Sequence, residues 1–126
     1  LQQALSHPGS SYTSSILSWL STYEKIHVLK GATIIDGYIE CQLTSGHSKF
    51  HQAIWIREAV QIIFYGGDEA PQLQQMRHRF VAKYDFDGKR AMELRQQWWK
   101  QGEQEGWTFL FYHDVKHPTF TFTTTP

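Results

Sequence analysis

Val60-Gln61-Ile62-Ile63-Phe64-Tyr65-Gly66-Gly67-Asp68 is the stretch on which the fold turns. Its run Ile62 to Tyr65 suits a buried strand. Gly66-Gly67 breaks the run, and a carboxylate stands just past the break. Pro71 then fits the first turn of a helix, where its missing N–H costs nothing. Leu73, Met76 and Phe80 give that helix an apolar stripe, and Asp85 or Asp87 can cap a second helix running to about Glu105. Within the second helix, Ala91, Met92, Leu94, Trp98 and Trp99 share one broad face at 100° per residue, while Glu93, Gln96, Gln97 and Lys100 share the opposite face. Gly102 should weaken its end by roughly 1 kcal/mol relative to Ala, and Gly106 is placed to act as a C-cap. Trp107 to Tyr112 reads as another buried strand, ending at His113-Asp114. Strand, two helices and strand in succession make a helical crossover.

On either side of this unit the pattern is that of hairpins. Residues 6–15 are rich in turn formers and read as a loop, and Ser14 or Ser15 can cap a short helix through about Tyr23. Ile26 to Leu29 and Ala32 to Ile35 read as short strands, and Asp36-Gly37 is a hairpin signal. Tyr38 to Thr44 alternates, with Ile39, Cys41 and Leu43 on one face. Phe50 to Arg57 alternates too, with Ala53 and Trp55 on one face and Ile54 and Ile56 on the other. After Pro118, Thr119 to Thr125 alternates phenylalanine with threonine, as an edge strand would. The whole is α/β: a mixed β-sheet with helices on one face.

Composition narrows the partners. The 126 residues suit a single domain, and 15% aromatic content can bury much area per residue. Lys plus Arg equals Asp plus Glu at 12 each, so bulk charge attracts neither nucleic acid nor an anionic membrane. No apolar run is long enough to span a bilayer. No signal-like segment opens the chain and Cys41 is alone, which fits a reducing, cytoplasmic setting. The chain starts at Leu1 and not at Met, which suggests that it was processed, cut or excerpted.

Three polar residues stand where strands end: His47 in Thr44-Ser45-Gly46-His47-Ser48-Lys49-Phe50-His51, Asp68 after Gly66-Gly67, and His113 in Phe111-Tyr112-His113-Asp114. A rigid sheet aims such loop side chains. Two imidazoles and a carboxylate, if brought together, would suit a divalent ion such as zinc. Taken alone, each also has a plainer reading. His47 could be a solvated loop histidine, Asp68 a turn residue, and His113 a strand-end histidine bonded to Asp114.

With these residues in place, the chain resembles the C-terminal half of a metallo-β-lactamase-fold hydrolase over about residues 31–117. Residues 31–51 resemble the family's strand pair leading into its G-H-T-x-G-H-type loop. Residues 60–68 resemble its strand ending in a metal-bridging Asp. Residues 84–95 resemble the start of its late helix, and residues 108–114 the strand carrying its last His ligand. The resemblance implies one partial domain over residues 1–126, half of an αββα sandwich. It implies that His47, Asp68 and His113 are metal ligands, with Asp68 between two ions, and that His51 supports them; Asp114 is placed to orient His113, as carboxylates commonly do beside a metal-bound histidine. The implied cofactor is one or two divalent ions, zinc foremost, with iron or manganese as alternatives. The implied activity is hydrolysis of an ester, lactone, thioester or amide bond in a small-molecule substrate by metal-activated water; β-lactams and phosphoesters belong to the same range. The family's H-x-H-x-D-H motif is absent from these residues, and His7 and His27 are isolated. The metal site is therefore expected to be incomplete, and the inner sheet face to need either a missing N-terminal half or a second copy. The rival expectation is a non-catalytic half-domain serving as an assembly or binding module.

Overall fold

Six strands join one sheet in the order in which they occur: β1 Thr33–Ile35, β2 Ile39–Leu43, β3 Gln52–Arg57, β4 Ile62–Tyr65, β5 Thr108–Leu110 and β6 Thr119–Thr121. The computed structural model describes residues 14–123. His7, the turn-rich stretch before Ser14 and the end of the last expected strand lie outside the described residues. The helices are α1 Ser14–Thr22, α2 Leu73–Arg77 and α3 Gly88–Glu105. Every neighbouring strand pair is antiparallel except β4 and β5, which run parallel. Parallel strands need a crossover, and α2 and α3 supply it. The expected mixed sheet is therefore present.

Local sequence explains most of these elements. Asp36 and Gly37 both take positive φ, 53° and 79°, closing the β1–β2 hairpin as the Asp-Gly pair demands. The Asp87 side chain accepts a hydrogen bond from the Arg90 N–H at 3.0 Å and caps α3. Gly106, at φ 68°, ends α3 in the left-handed conformation that glycine adopts without strain. The buried residues of α3 are Ala91, Arg95, Trp98 and Gly102, a stripe at steps of four, three and four.

That stripe packs on the β3, β4 and β5 residues that face it. Phe64 is central: its ring lies 4.8 Å from Trp98, 5.0 Å from Trp55, 5.4 Å from Phe109 and 5.5 Å from Trp107, centroid to centroid. Leu73 and Met76 of α2 close the same cluster. The opposite sheet face is apolar but less covered. The register places Ile39, Cys41, Leu43, Ile54, Ile56 and Ile63 there. Cys41 is buried, as a small hydrophobe would be, whereas Leu43 is 42% exposed.

Four expectations need correction. Ile26–Leu29 is not a strand; the sheet ends at β1, so no ladder lies beside this segment. Helix α2 stops at Arg77, which leaves Phe80 outside it and exposed. Gly102 is more than a weak point, since a Cβ there would lie 2.5 Å from Cε2 of Phe109. The helix needs glycine where it crosses β5. The strand expected to reach Tyr112 ends at Leu110, and His113 sits in the turn that follows.

Candidate functional site

Strand direction gathers the loops. β2 is antiparallel to β3, β3 to β4, and β5 is parallel to β4, so β2, β4 and β5 point the same way. Their C-terminal ends share one edge of the sheet, where open sheets of this kind place ligands. The segment after β2 carries His47, the turn after β4 carries Asp68, and the turn after β5 carries His113.

These three residues meet. His47 Nε2 lies 3.5 Å from Asp68 Oδ2, and His113 Nε2 lies 3.7 Å from Asp68 Oδ1. Each carboxylate oxygen thus faces one imidazole. Tyr112 OH also donates to Asp68 Oδ1. His113 is held through its backbone, with its N–H on Pro71 O at 3.2 Å and its C=O accepting from Gln72 Nε2 at 3.2 Å. Both partners follow closely on Asp68 in sequence, so one turn fixes the two residues together. An open cleft of about 250 Å³ borders the group, lined in part by His47, Asp68, Phe80, Tyr84, Arg95 and His113. Tyr84 meets the His47 ring edge-on at 5.9 Å.

Beneath Asp68 lies a second carboxylate that the sequence reading passed over. Glu69 is fully buried. Its oxygens accept from the His47 N–H at 2.7 Å, the Gly46 N–H at 3.3 Å and Thr44 Oγ1 at 2.5 Å, and Oε2 lies 3.2 Å from His51 Nδ1. Burial pushes the Glu69 carboxyl up, but the hydrogen bonds from His51 and Thr44, the His51 charge and the His47 N–H outweigh it and hold the group below its usual range. One carboxylate thus organises the whole loop that presents His47. Gly46 is required for this: a Cβ there would lie 1.9 Å from Glu69 Oε1 and 2.9 Å from Ala91 Cα.

The supporting residues divide. His51 shares Thr44 and Glu69, and its Nε2 would lie 2.9 Å from a Cβ on Gly67, whose φ is 55°. It therefore packs over the turn that carries Asp68. Asp114 does not turn to His113. Its oxygens accept from the backbone N–H groups of Leu73, Lys116 and His117, at 3.0, 3.1 and 2.9 Å. The His117 and Leu73 N–H groups hold its carboxyl below the usual range, so it braces two backbone turns. His27 lies exposed, far along the chain from the group.

Arg95 was also missed. It is buried, and donates from Nη1 to Glu69 O at 2.8 Å and from Nη2 to Phe80 O. Burial lowers its pKa, and the nearby Asp85 and Glu69 charges oppose that change. Helical period puts it on the apolar face with Ala91, Trp98 and Gly102, where a charge is rarely buried. Among the described residues, no three His, Cys, Asp or Glu side chains are placed to hold one ion together. Likewise among the described residues, no helix is long and apolar enough to cross a membrane.

No protein-family model matches the chain. No curated protein matches it by sequence. Solved structures match it by fold. A probable metal-dependent hydrolase from Staphylococcus aureus is 22% identical, with a TM-score of 0.70, over 75% of this chain and 34% of its own. AidC, a dizinc quorum-quenching lactonase solved with its product, is 17% identical, with a TM-score of 0.68, over 90% of this chain and 39% of its own. AiiA from B. thuringiensis, solved with N-decanoyl-L-homoserine at its active site, is 19% identical, with a TM-score of 0.67, over 90% of this chain and 44% of its own. This chain therefore spans less than half the length of the structures it matches. At these identities the likeness speaks for fold: the described residues have the fold of part of a metallo-β-lactamase-superfamily hydrolase.

Proposed function

We propose that this chain supplies His47, Asp68 and His113 to the metal centre of a hydrolase, in a protein whose remaining ligands lie outside these 126 residues. One observation carries the reading: each oxygen of Asp68 faces a different imidazole, at 3.5 and 3.7 Å. Those separations exceed the 2.7–3.2 Å of an N–H···O hydrogen bond. They approach the roughly 3.4 Å between two donors that each lie about 2.0–2.2 Å from one tetrahedral zinc. Two imidazoles and a carboxylate suit zinc, and iron or manganese to a lesser degree. An anionic Asp68 between two cations would offset their repulsion.

A divalent ion held here supplies Lewis-acid polarisation of a carbonyl or phosphoryl oxygen and activation of water. The chain's own residues do the rest. Glu69 holds the His47 loop, and the cleft between His113 and Tyr84 admits a small substrate. The solved relatives include enzymes seen with acyl-homoserine products, so lactones head the substrate classes to test, with esters, thioesters and amides after them.

The apolar sheet face opposite the helices fits the same reading. Ile39, Ile54, Ile56 and Ile63 share that face, and we take its cover to be a second sheet, from the rest of the protein or from a second copy.

The experiment is a zinc titration with a lactone, an ester and a thioester, on the protein expressed from its whole coding sequence. Zinc-dependent hydrolysis is expected, and Asp68→Ala should remove it by more than the roughly 10–100-fold that follows loss of a supporting partner. Metal-independent hydrolysis, or full activity in Asp68→Ala, would contradict the reading. The 126-residue chain by itself should retain well under one equivalent of zinc after dialysis.

A further inference from the structure

We infer that Asp85 is a positioning residue for His47: its carboxylate accepts a hydrogen bond from the Nδ1–H of that ring and so turns the Nε2 lone pair toward Asp68. His47 Nδ1 lies 2.9 Å from Asp85 Oδ1, and the Asp85 side chain is only 4% exposed. The other oxygen, Oδ2, accepts from the Ala82 N–H at 3.2 Å, so the carboxylate cannot swing away. The next two residues clamp the same loop by backbone: Phe86 N–H donates to His47 O at 3.0 Å, and Asp87 N–H to Gly46 O at 2.7 Å.

A proton must sit between Nδ1 and Oδ1. Without one, two lone pairs would face each other at 2.9 Å in a nearly dry place. A neutral imidazole has one proton to give, so Nε2 is left bare. That nitrogen is the one 3.5 Å from Asp68 Oδ2. A carboxylate or carbonyl on the far nitrogen is how proteins fix the tautomer and heading of a metal-bound histidine. Asp85 belongs to the loop before α3, 38 residues from His47. Its place beside the capping Asp87 made it look like a second helix cap.

The inference rests on the proposed metal reading only for what the Nε2 lone pair meets. Its own content is a tautomer, which nitrogen spectra read directly. Long-range ¹H–¹⁵N correlation on the metal-free protein, at a pH where imidazoles are neutral, should place the His47 proton on Nδ1. Free imidazoles of histidine favour Nε2, so Asp85→Ala should move the proton there. A wild-type His47 protonated on Nε2, or a ring unchanged by Asp85→Ala, would overturn the inference; the wild-type spectrum decides even if the variant fails to fold. With zinc as the probe, on the protein expressed from its whole coding sequence, Asp85→Ala should lose roughly 10–100-fold in affinity and Asp85→Glu should recover part of it. Unchanged zinc affinity in Asp85→Ala would also overturn it. If the wild type expressed from its whole coding sequence takes up no zinc, the metal reading falls, and the tautomer still decides the role of Asp85.

Discussion

The core under the sheet and the rim at its edge are built on different principles. The core is aromatic and dry: Phe64, Trp107, Phe109 and Phe111 are each no more than 1% exposed, and contact area holds them. The rim is polar, and two carboxylates hold it. Glu69 fixes the backbone of the His47 loop, and Asp85 meets the His47 ring. Packing tolerates small shifts of many atoms, whereas the rim depends on a few short bonds. Core changes should therefore act on stability, and rim changes on geometry at the cleft.

The largest effect belongs to the core. Phe64→Ala removes a ring that four other aromatic rings touch. We expect a loss of about 3–5 kcal/mol in chemical denaturation. A loss under about 1 kcal/mol would mean that the core is not centred on Phe64.

Next comes the bond between rim and core. Glu69→Gln keeps the volume but turns an amide donor toward N–H groups that need an acceptor. Leaving a buried donor unmet costs about 1–3 kcal/mol. The variant also has a pH signature. Because the folded Glu69 carboxyl lies below its ordinary 4.5, its contribution is full above that value and is lost as pH falls through the lower, folded value. Glu69→Gln should flatten that acid limb in pH-dependent unfolding. An acid limb identical to that of the wild type would place the sensitivity elsewhere.

A smaller effect tests the cap. Asp87→Ala removes the acceptor for the Arg90 N–H and should cost about 1 kcal/mol by thermal unfolding. A loss several times larger would mean that Asp87 also carries the His47 loop, to which its own N–H is bonded.

The smallest stability effect, and the sharpest contrast, is expected at His113. Its side chain is 59% exposed, so His113→Ala should change stability by less than about 0.5 kcal/mol. The same variant should lose zinc uptake in the whole protein. A marked loss of stability would assign His113 to the structure and not to the site.

The sequence made the core and the strand ends readable for a physical reason. Alternation put Ala53 and Trp55 on one face, and the Gly66-Gly67 break put Asp68 at a strand terminus. His47 and His113 were legible as chemistry-bearing side chains next to β-rich runs. What could not be read was contact at a distance. Glu69 meets residues 18 to 25 positions away, and Asp85 meets His47 across 38. Neither carries a local period or spacing. Gly102 was legible only as a weak helix former, because its partner, Phe109, comes from a strand on the other side of the turn. Arg95 lay hidden in the apolar stripe because a charge is rarely buried there. The strand expected at Ile26–Leu29 failed because an apolar run needs a neighbouring ladder as well as a pattern.

The most direct test of the metal reading is zinc-edge anomalous diffraction from crystals of the whole protein grown with zinc. Anomalous peaks are expected about 2.0–2.2 Å from His47 Nε2, His113 Nε2 and the Asp68 oxygens, with Asp68 lying between two peaks about 3.5–4 Å apart if two ions bind. No peak at this edge of the sheet, with His47 and His113 still turned on Asp68 at the present distances, would contradict it and make the three residues a polar cluster of the fold.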